Sequence, residues 1–147
     1  MYVVKETYTD YLGVDRTEDF YFNLNKAEIV KLELSIPGGL TGMLKTLIEK
    51  QNIPKMIEVF DMLIDKSYGV RSADGRSFVK TKEVLEDFKS TEAYSNIYMR
   101  FATDSKFASD FLNNIIPKDM AEEIAKMSDE DKKAITDNLG VPVPQNS

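Results

Sequence analysis

The stretch Asp15-Arg16-Thr17-Glu18-Asp19-Phe20-Tyr21-Phe22-Asn23-Leu24-Asn25-Lys26-Ala27-Glu28-Ile29 holds the point at which the chain changes period. Up to Leu24 the pattern repeats every two residues. Phe20, Phe22 and Leu24 fall on one face of an extended strand, and Asp19, Tyr21 and Asn23 on the other. From Asn25 the apolar spacing becomes three to four residues, the period of a helix. Asn25 is a good N-cap, because its side-chain oxygen accepts from a backbone N–H of the first turn, and Glu28 follows three residues on to complete a capping box. Ile29, Leu32 and Ile36 continue along one helical face. A strand handed over to a capped helix predicts an α+β fold, mainly α.

Toward the N-terminus, Tyr2-Val3-Val4, Thr7-Tyr8-Thr9 and Tyr11 are β-branched or aromatic, as are Thr17 and Phe20-Tyr21-Phe22. Such residues favour a pleated surface, and residues 2–24 are read as a two-stranded β-hairpin. Leu12-Gly13-Val14-Asp15 forms its turn, with Gly13 supplying a positive φ. Toward the C-terminus the helical period persists. Pro37-Gly38-Gly39 breaks the first helix, and Leu40, Met43, Leu44, Leu47 and Ile48 stripe the second. Pro54 opens a third in its first turn, where a missing N–H costs nothing, and Ile57, Phe60, Leu63 and Ile64 form its apolar side. Gly69 is read as the left-handed cap that ends this helix.

Ser72-Ala73-Asp74-Gly75-Arg76 reads as a turn, followed by a short extended piece at Ser77-Phe78-Val79. Thr81 caps a helix bearing Val84, Leu85 and Phe88, and Thr91 caps one bearing Tyr94, Ile97, Tyr98 and Phe101. Thr103 or Asp104 restarts the chain into Phe107, Phe111, Leu112 and Ile115, which Pro117 stops. A helix around 120–127 and one capped by Ser128 follow. The acids Asp129, Glu130 and Asp131 suit the positive end of that last helix, and Gly140 ends it. These readings give a hairpin packed on a bundle of short helices. The expected core is Phe20, Phe22, Ile29, Leu44, Leu47, Phe60, Leu63, Phe88, Ile97, Phe101 and Phe111. Aromatics vanish after Pro117, so the expected division is a hairpin-plus-helices domain over 1–120, loosely docked C-terminal helices over 121–140, and a mobile tail over 141–147.

The 147 residues include no cysteine and no histidine. Disulfide scaffolds, Cys/His zinc sites, thiol nucleophiles and Ser–His or Cys–His catalytic pairs are thereby excluded. Lys+Arg number 19 against 25 Asp+Glu, a net charge of −6, which argues against a phosphate-backbone binder, so nucleic acid is not an expected partner. No apolar run approaches the roughly 20 residues of a membrane span, and the first residues lack a signal-peptide core, so no membrane partner and a cytosolic location are expected. Asp61 and Asp65 share a helix face but lack a third ligand, and read as a solvated face. Ser72-Ala73-Asp74-Gly75 lacks the alternating acids and closing Glu of a calcium loop. Pro37-Gly38-Gly39-Leu40-Thr41-Gly42 lacks the Gly-Lys-Ser/Thr of a phosphate loop. No catalytic constellation, metal site or cofactor is expected.

Three features favour a binding protein. A lone hairpin is marginal and must pack within its chain or pair with another subunit, which leaves a homo-oligomer open. Tyr94, Tyr98, Phe101, Phe107 and Phe111 form an aromatic band, more often core than groove. Met43, Met56, Met62 and Met99 lie among the stripes, where gap filling is their usual role. Tyr8, Tyr11, Tyr21, Tyr94 and Tyr98 are the candidate partner-binding residues.

Tyr8-Thr9-Asp10-Tyr11, Gly13 and Arg16-Thr17-Glu18-Asp19-Phe20-Tyr21-Phe22-Asn23-Leu24, running into Lys26-Ala27-Glu28-Ile29, resemble the opening of tail assembly chaperones of long-tailed phages and prophages of Gram-positive bacteria. Ser35-Ile36-Pro37-Gly38-Gly39-Leu40 is similar to that family's first helix break. Ser67-Tyr68-Gly69-Val70-Arg71 through Lys80 is similar to its central turn. Ala102-Thr103-Asp104 and Phe111-Leu112-Asn113-Asn114-Ile115-Ile116-Pro117 resemble its closing helix and stop. The resemblance covers about residues 5–120 and carries no catalytic residue. It implies a non-enzymatic factor of the host bacterial cytoplasm, absent from the mature virion, that coats the tape measure protein, keeps it soluble and helps recruit the tail tube protein. A structural head–tail or tail-completion protein of the virion is the alternative.

Overall fold

Eight residues of β1 (Tyr2–Thr9) pair antiparallel with eight of β2 (Asp15–Phe22), from Tyr2 opposite Phe22 to Thr9 opposite Asp15. The computed structural model describes residues 1–116, 122–124 and 126–139, without the side chains of Thr41, Ile48, Ile135, Thr136, Asn138 and Leu139. Val4, Tyr8, Phe20 and Phe22 are buried on one face of the hairpin, while Val3, Lys5, Thr7 and Asp19 on the other are exposed, as the period of two requires. Gly13 takes a φ of 81° in the turn.

The hairpin is not alone. β3 (Tyr68–Arg71) pairs with β2, and β4 (Phe78–Val79) pairs with β3, giving an antiparallel sheet in the order β1-β2-β3-β4. This corrects the reading of Gly69 as a helix cap. Gly69 is extended, buried and opposite Tyr21, and a Cβ there would stand 2.6 Å from the Phe78 ring. The glycine is required for close approach of a ring rather than for a left-handed turn.

Seven helices are named among the described residues: α1 (Lys26–Ser35), α2 (Gly39–Glu49), α3 (Ile53–Ser67), α4 (Lys82–Lys89), α5 (Glu92–Thr103), α6 (Ser105–Ile115) and α7 (Asp129–Leu139). Their starts follow the sequence. The Glu28 N–H donates to Asn25 Oδ1 at 2.9 Å, and the Asn25 N–H donates to Glu28 Oε1 at 3.0 Å, both halves of the capping box. Thr81 and Thr91 each accept from the third residue on, at 3.2 Å. Asp104, not Thr103, caps α6, accepting from the Phe107 N–H at 3.1 Å. Ser128 accepts from the Asp131 N–H at 3.1 Å.

The chain forms two compact units. The first comprises Met1–Asn23 and Val59–Ile115. In it the buried face of the sheet meets α4, α5 and α6 through a continuous set of rings. Tyr68 stacks on Phe88 at 4.1 Å between centroids, and Phe20 lies 5.2 Å from Phe88. Phe22 meets Phe111 edge-on at 5.5 Å, and Phe101 meets Phe107 and Phe111 at 4.8 and 4.6 Å. Glu6 of β1 accepts from Arg100 of α5 at 2.9 Å, and the same guanidinium covers the Phe107 ring at 4.1 Å.

The second unit comprises Leu24–Glu58 and the described residues from Ile116 on. In it α1 packs on α2 and α7, and Ile29, Leu32, Leu34, Leu40, Leu44, Leu47 and Ile124 are buried. Leu34 is buried while Ile36, just past the end of α1, is half-buried. All eleven expected core residues are buried. Residues 24–58 thus group with the described residues from Ile116 on. The boundary expected at 120/121, Pro117, Gly140 and the tail 141–147 lie outside the described residues.

Candidate partner-binding surface

Asp10 builds the tip of the hairpin. Its Oδ1 accepts from the N–H groups of Leu12 and Val14, both at 2.9 Å, and its Oδ2 accepts from Arg16 Nε at 2.7 Å. Its own N–H donates to the Val14 carbonyl at 2.8 Å, and the Gly13 N–H donates back to the Asp10 carbonyl at 3.0 Å. Chiefly the Arg16 guanidinium, then the Val14 amide, holds the Asp10 carboxyl below the usual carboxylate range. One carboxylate thus fastens a turn that presents Tyr11, Leu12 and Val14 to water, 76%, 88% and 56% exposed. Burying a side chain such as Leu12 is worth about 1.5–3 kcal/mol, and a turn already fixed loses little entropy on doing so.

Two clefts open on the first unit, the smaller of them at this tip. The smaller, about 380 Å³, is lined by Tyr8, Tyr11 and Leu12 together with Asp10, Arg16, Glu18, Asp87 and Glu92. Tyr11 donates its hydroxyl to Glu92 Oε1 at 3.0 Å, and Tyr8 donates to Glu18. The bond to Glu18, aided by burial, pushes the Tyr8 hydroxyl up to about 12. The larger cleft, about 660 Å³, opens between β2 and β3. It exists because β3 pairs with β2 only at Tyr21 and Phe22, after which Val70 and Arg71 pair with Val79 and Phe78 of β4. Arg71 closes one wall, 4.3 Å above the Tyr21 ring with Nη2 donating to its hydroxyl at 2.7 Å.

The structure does not gather the five candidate tyrosines into one patch. Tyr8 and Tyr11 line the smaller cleft, though Tyr8 is buried against Phe20 and offers only part of its ring. Tyr21 lines the larger cleft. Tyr94 and Tyr98 form their own half-buried pair on α5, 6.0 Å between centroids. Burial first, then the Asp61 charge, raises both of their hydroxyls. Phe101, Phe107 and Phe111 of the aromatic band are core. The sequence reading missed Leu12 and Val14 as surface contacts and Asp10 as their support. The available signal was two large apolar side chains flanking Gly13 in a two-strand turn, where polar residues are the norm. Asp65, weighed as half of a carboxylate pair, lies 2.7 Å from Lys89 Nζ. Among the described residues no three Asp or Glu side chains converge to hold a metal ion, and no helix is long and apolar enough to cross a membrane.

A family model described as phage tail assembly chaperone matches residues 2–146. The chain belongs to that family. No curated protein and no solved structure matches it. Membership as a tail assembly chaperone points to a non-enzymatic role and to interaction with tail proteins.

Proposed function

We propose that this tail assembly chaperone binds the tape measure protein in the host cytoplasm, keeps it soluble, assists recruitment of the tail tube protein, and is left out of the finished virion. Family membership supplies the setting. The observation that carries the reading is the hairpin tip, where Tyr11, Leu12 and Val14 stand exposed on a turn that Asp10 holds rigid. Three large apolar side chains on a preorganised turn are what a contact with apolar stripes of a client needs. A standard interface is roughly 800 Å² per side, so many copies are needed to cover a tape measure of several hundred residues.

Co-expression tests this. The wild-type chain should hold the tape measure protein of the same phage in the soluble fraction, with several copies bound per client. Replacing Tyr11, Leu12 and Val14 together by Ser should abolish that rescue while leaving the melting temperature unchanged within a few degrees. A client equally insoluble with the wild-type chain, or a chain present in stoichiometric amounts in purified particles, overturns the reading.

A further inference from the structure

We propose that the open outer edge of β2, at Thr17 and Asp19, pairs with an extended lysine- or arginine-bearing segment of the client chain. The inference rests on the tape measure reading only for the identity of that client. The edge is set by register. The Asn23 N–H donates to the Ser67 carbonyl at 2.8 Å, and Tyr21 stands opposite Gly69. Along an antiparallel strand alternate residues turn their N–H and C=O to the same side, so Asp19 and Thr17 present theirs toward the side that β3 occupies at Tyr21. There β3 has already left to pair with β4, and the 660 Å³ cleft takes its place. Its walls are Glu18 to Tyr21 on one side and the β3–β4 turn on the other. The backbone groups of an incoming strand would find there the partners that β3 supplies further along.

Charge chooses the occupant. The larger cleft carries Glu18, Asp19, Asp74 and Asp87 against Arg71, whose guanidinium is engaged by Tyr21. The smaller cleft shares Glu18 and Asp87 and adds Asp10 and Glu92 against Arg16, which is engaged by Asp10. Among the described residues neither Asp19 nor Asp87 has an ion-pair partner, although Lys5 stands opposite Asp19 in the ladder. A second copy of this edge would bring acid against acid, which disfavours self-pairing. A segment with cations at alternate positions meets both demands, main-chain pairing and neutralisation of Asp19 and Asp87.

The probe is a ten-residue peptide of alternating Lys with Val or Thr, and its Glu-for-Lys counterpart, added to the full chain at millimolar concentration. The Lys peptide should slow amide exchange at Thr17 and Asp19 at least tenfold, and the Glu peptide should not. Thr17→Pro removes an outward N–H while sparing the ladder to β1, and should abolish the protection at Asp19. The pair Asp19→Lys and Asp87→Lys, which leaves the core untouched, should weaken binding at least tenfold. No protection by the Lys peptide, equal protection by both peptides, or full binding by the charge-reversed chain overturns the proposal. Rescue of tape measure solubility by the wild-type chain is scored separately, so the client's identity can fail while the edge stands, or the reverse.

Discussion

Phe60 of α3 and Phe101 of α5 stack with ring centroids 5.2 Å apart and planes 26° from parallel. Both are buried, and Phe101 also meets Phe107 and Phe111, so this pair ties α3 to the rings of α6. Replacing either by Ala should cost about 3–5 kcal/mol, from lost transfer energy and the cavity left behind. Phe101→Ala should cost the more, since it deprives three rings of a neighbour. A double-mutant cycle read by urea denaturation should give a coupling of about 0.5–1.5 kcal/mol. Strict additivity would show that the stack is geometry without energy.

The hairpin tip should loosen in acid. The folded state depresses the Asp10 carboxyl, so its contribution is fully present above the carboxyl's unfolded value and is lost as pH falls through the folded one. Amide exchange at Leu12 and Val14, the two donors to Asp10 Oδ1, should speed up over that range after correction for intrinsic rates. Exchange in the β1–β2 ladder should not. Asp10→Asn, which loses the charge facing Arg16, should remove most of this pH dependence.

Thr91→Ala removes the oxygen that accepts from the Tyr94 N–H at the start of α5. The expected loss is about 1 kcal/mol, seen as a lower denaturation midpoint with unchanged slope. Because Tyr94 packs on Phe88 at 5.4 Å, fraying there should also raise the exposure of that tyrosine to quenchers.

Gly69→Ala places a methyl group 2.6 Å from the Phe78 ring, which must shift. A cost of about 1–3 kcal/mol is expected from overpacking. Phe78→Ala in the same chain should recover part of it. If Gly69→Ala is neutral by itself, the ring moves freely and the approach of β4 to β3 is not fixed by this glycine.

Helix starts were legible because their causes are local. Asn25 with Glu28, Thr81, Thr91 and Ser128 each carry the oxygen that their own next turn requires. The strand period was legible for the same reason, since alternation in 2–24 is visible without a partner. β3 was not. Tyr68-Gly69-Val70-Arg71 follows a helix and contains a glycine, so a cap is the natural local reading. What makes it a strand is Tyr21 and Phe22, more than forty positions earlier. The candidate surface was legible to the same limited extent. Tyrosines can be picked out one at a time, but the gap where β3 parts from β2 and the exposure of Leu12 depend on pairings that no window of sequence contains.

The first unit is assembled from both sides of an interruption, and this has a consequence for synthesis. Val4, Phe20 and Phe22 leave the ribosome early, and hairpins of this kind close within about 1–10 μs. Phe111, which meets Phe22 edge-on, is added about 90 residues later, a wait of roughly 5–20 s at about 5–20 residues per second. Through that interval the nascent hairpin displays the apolar face that α4 to α6 later cover. A member of the tail assembly chaperone family thus passes through a stage on the ribosome in which its own apolar face lies open.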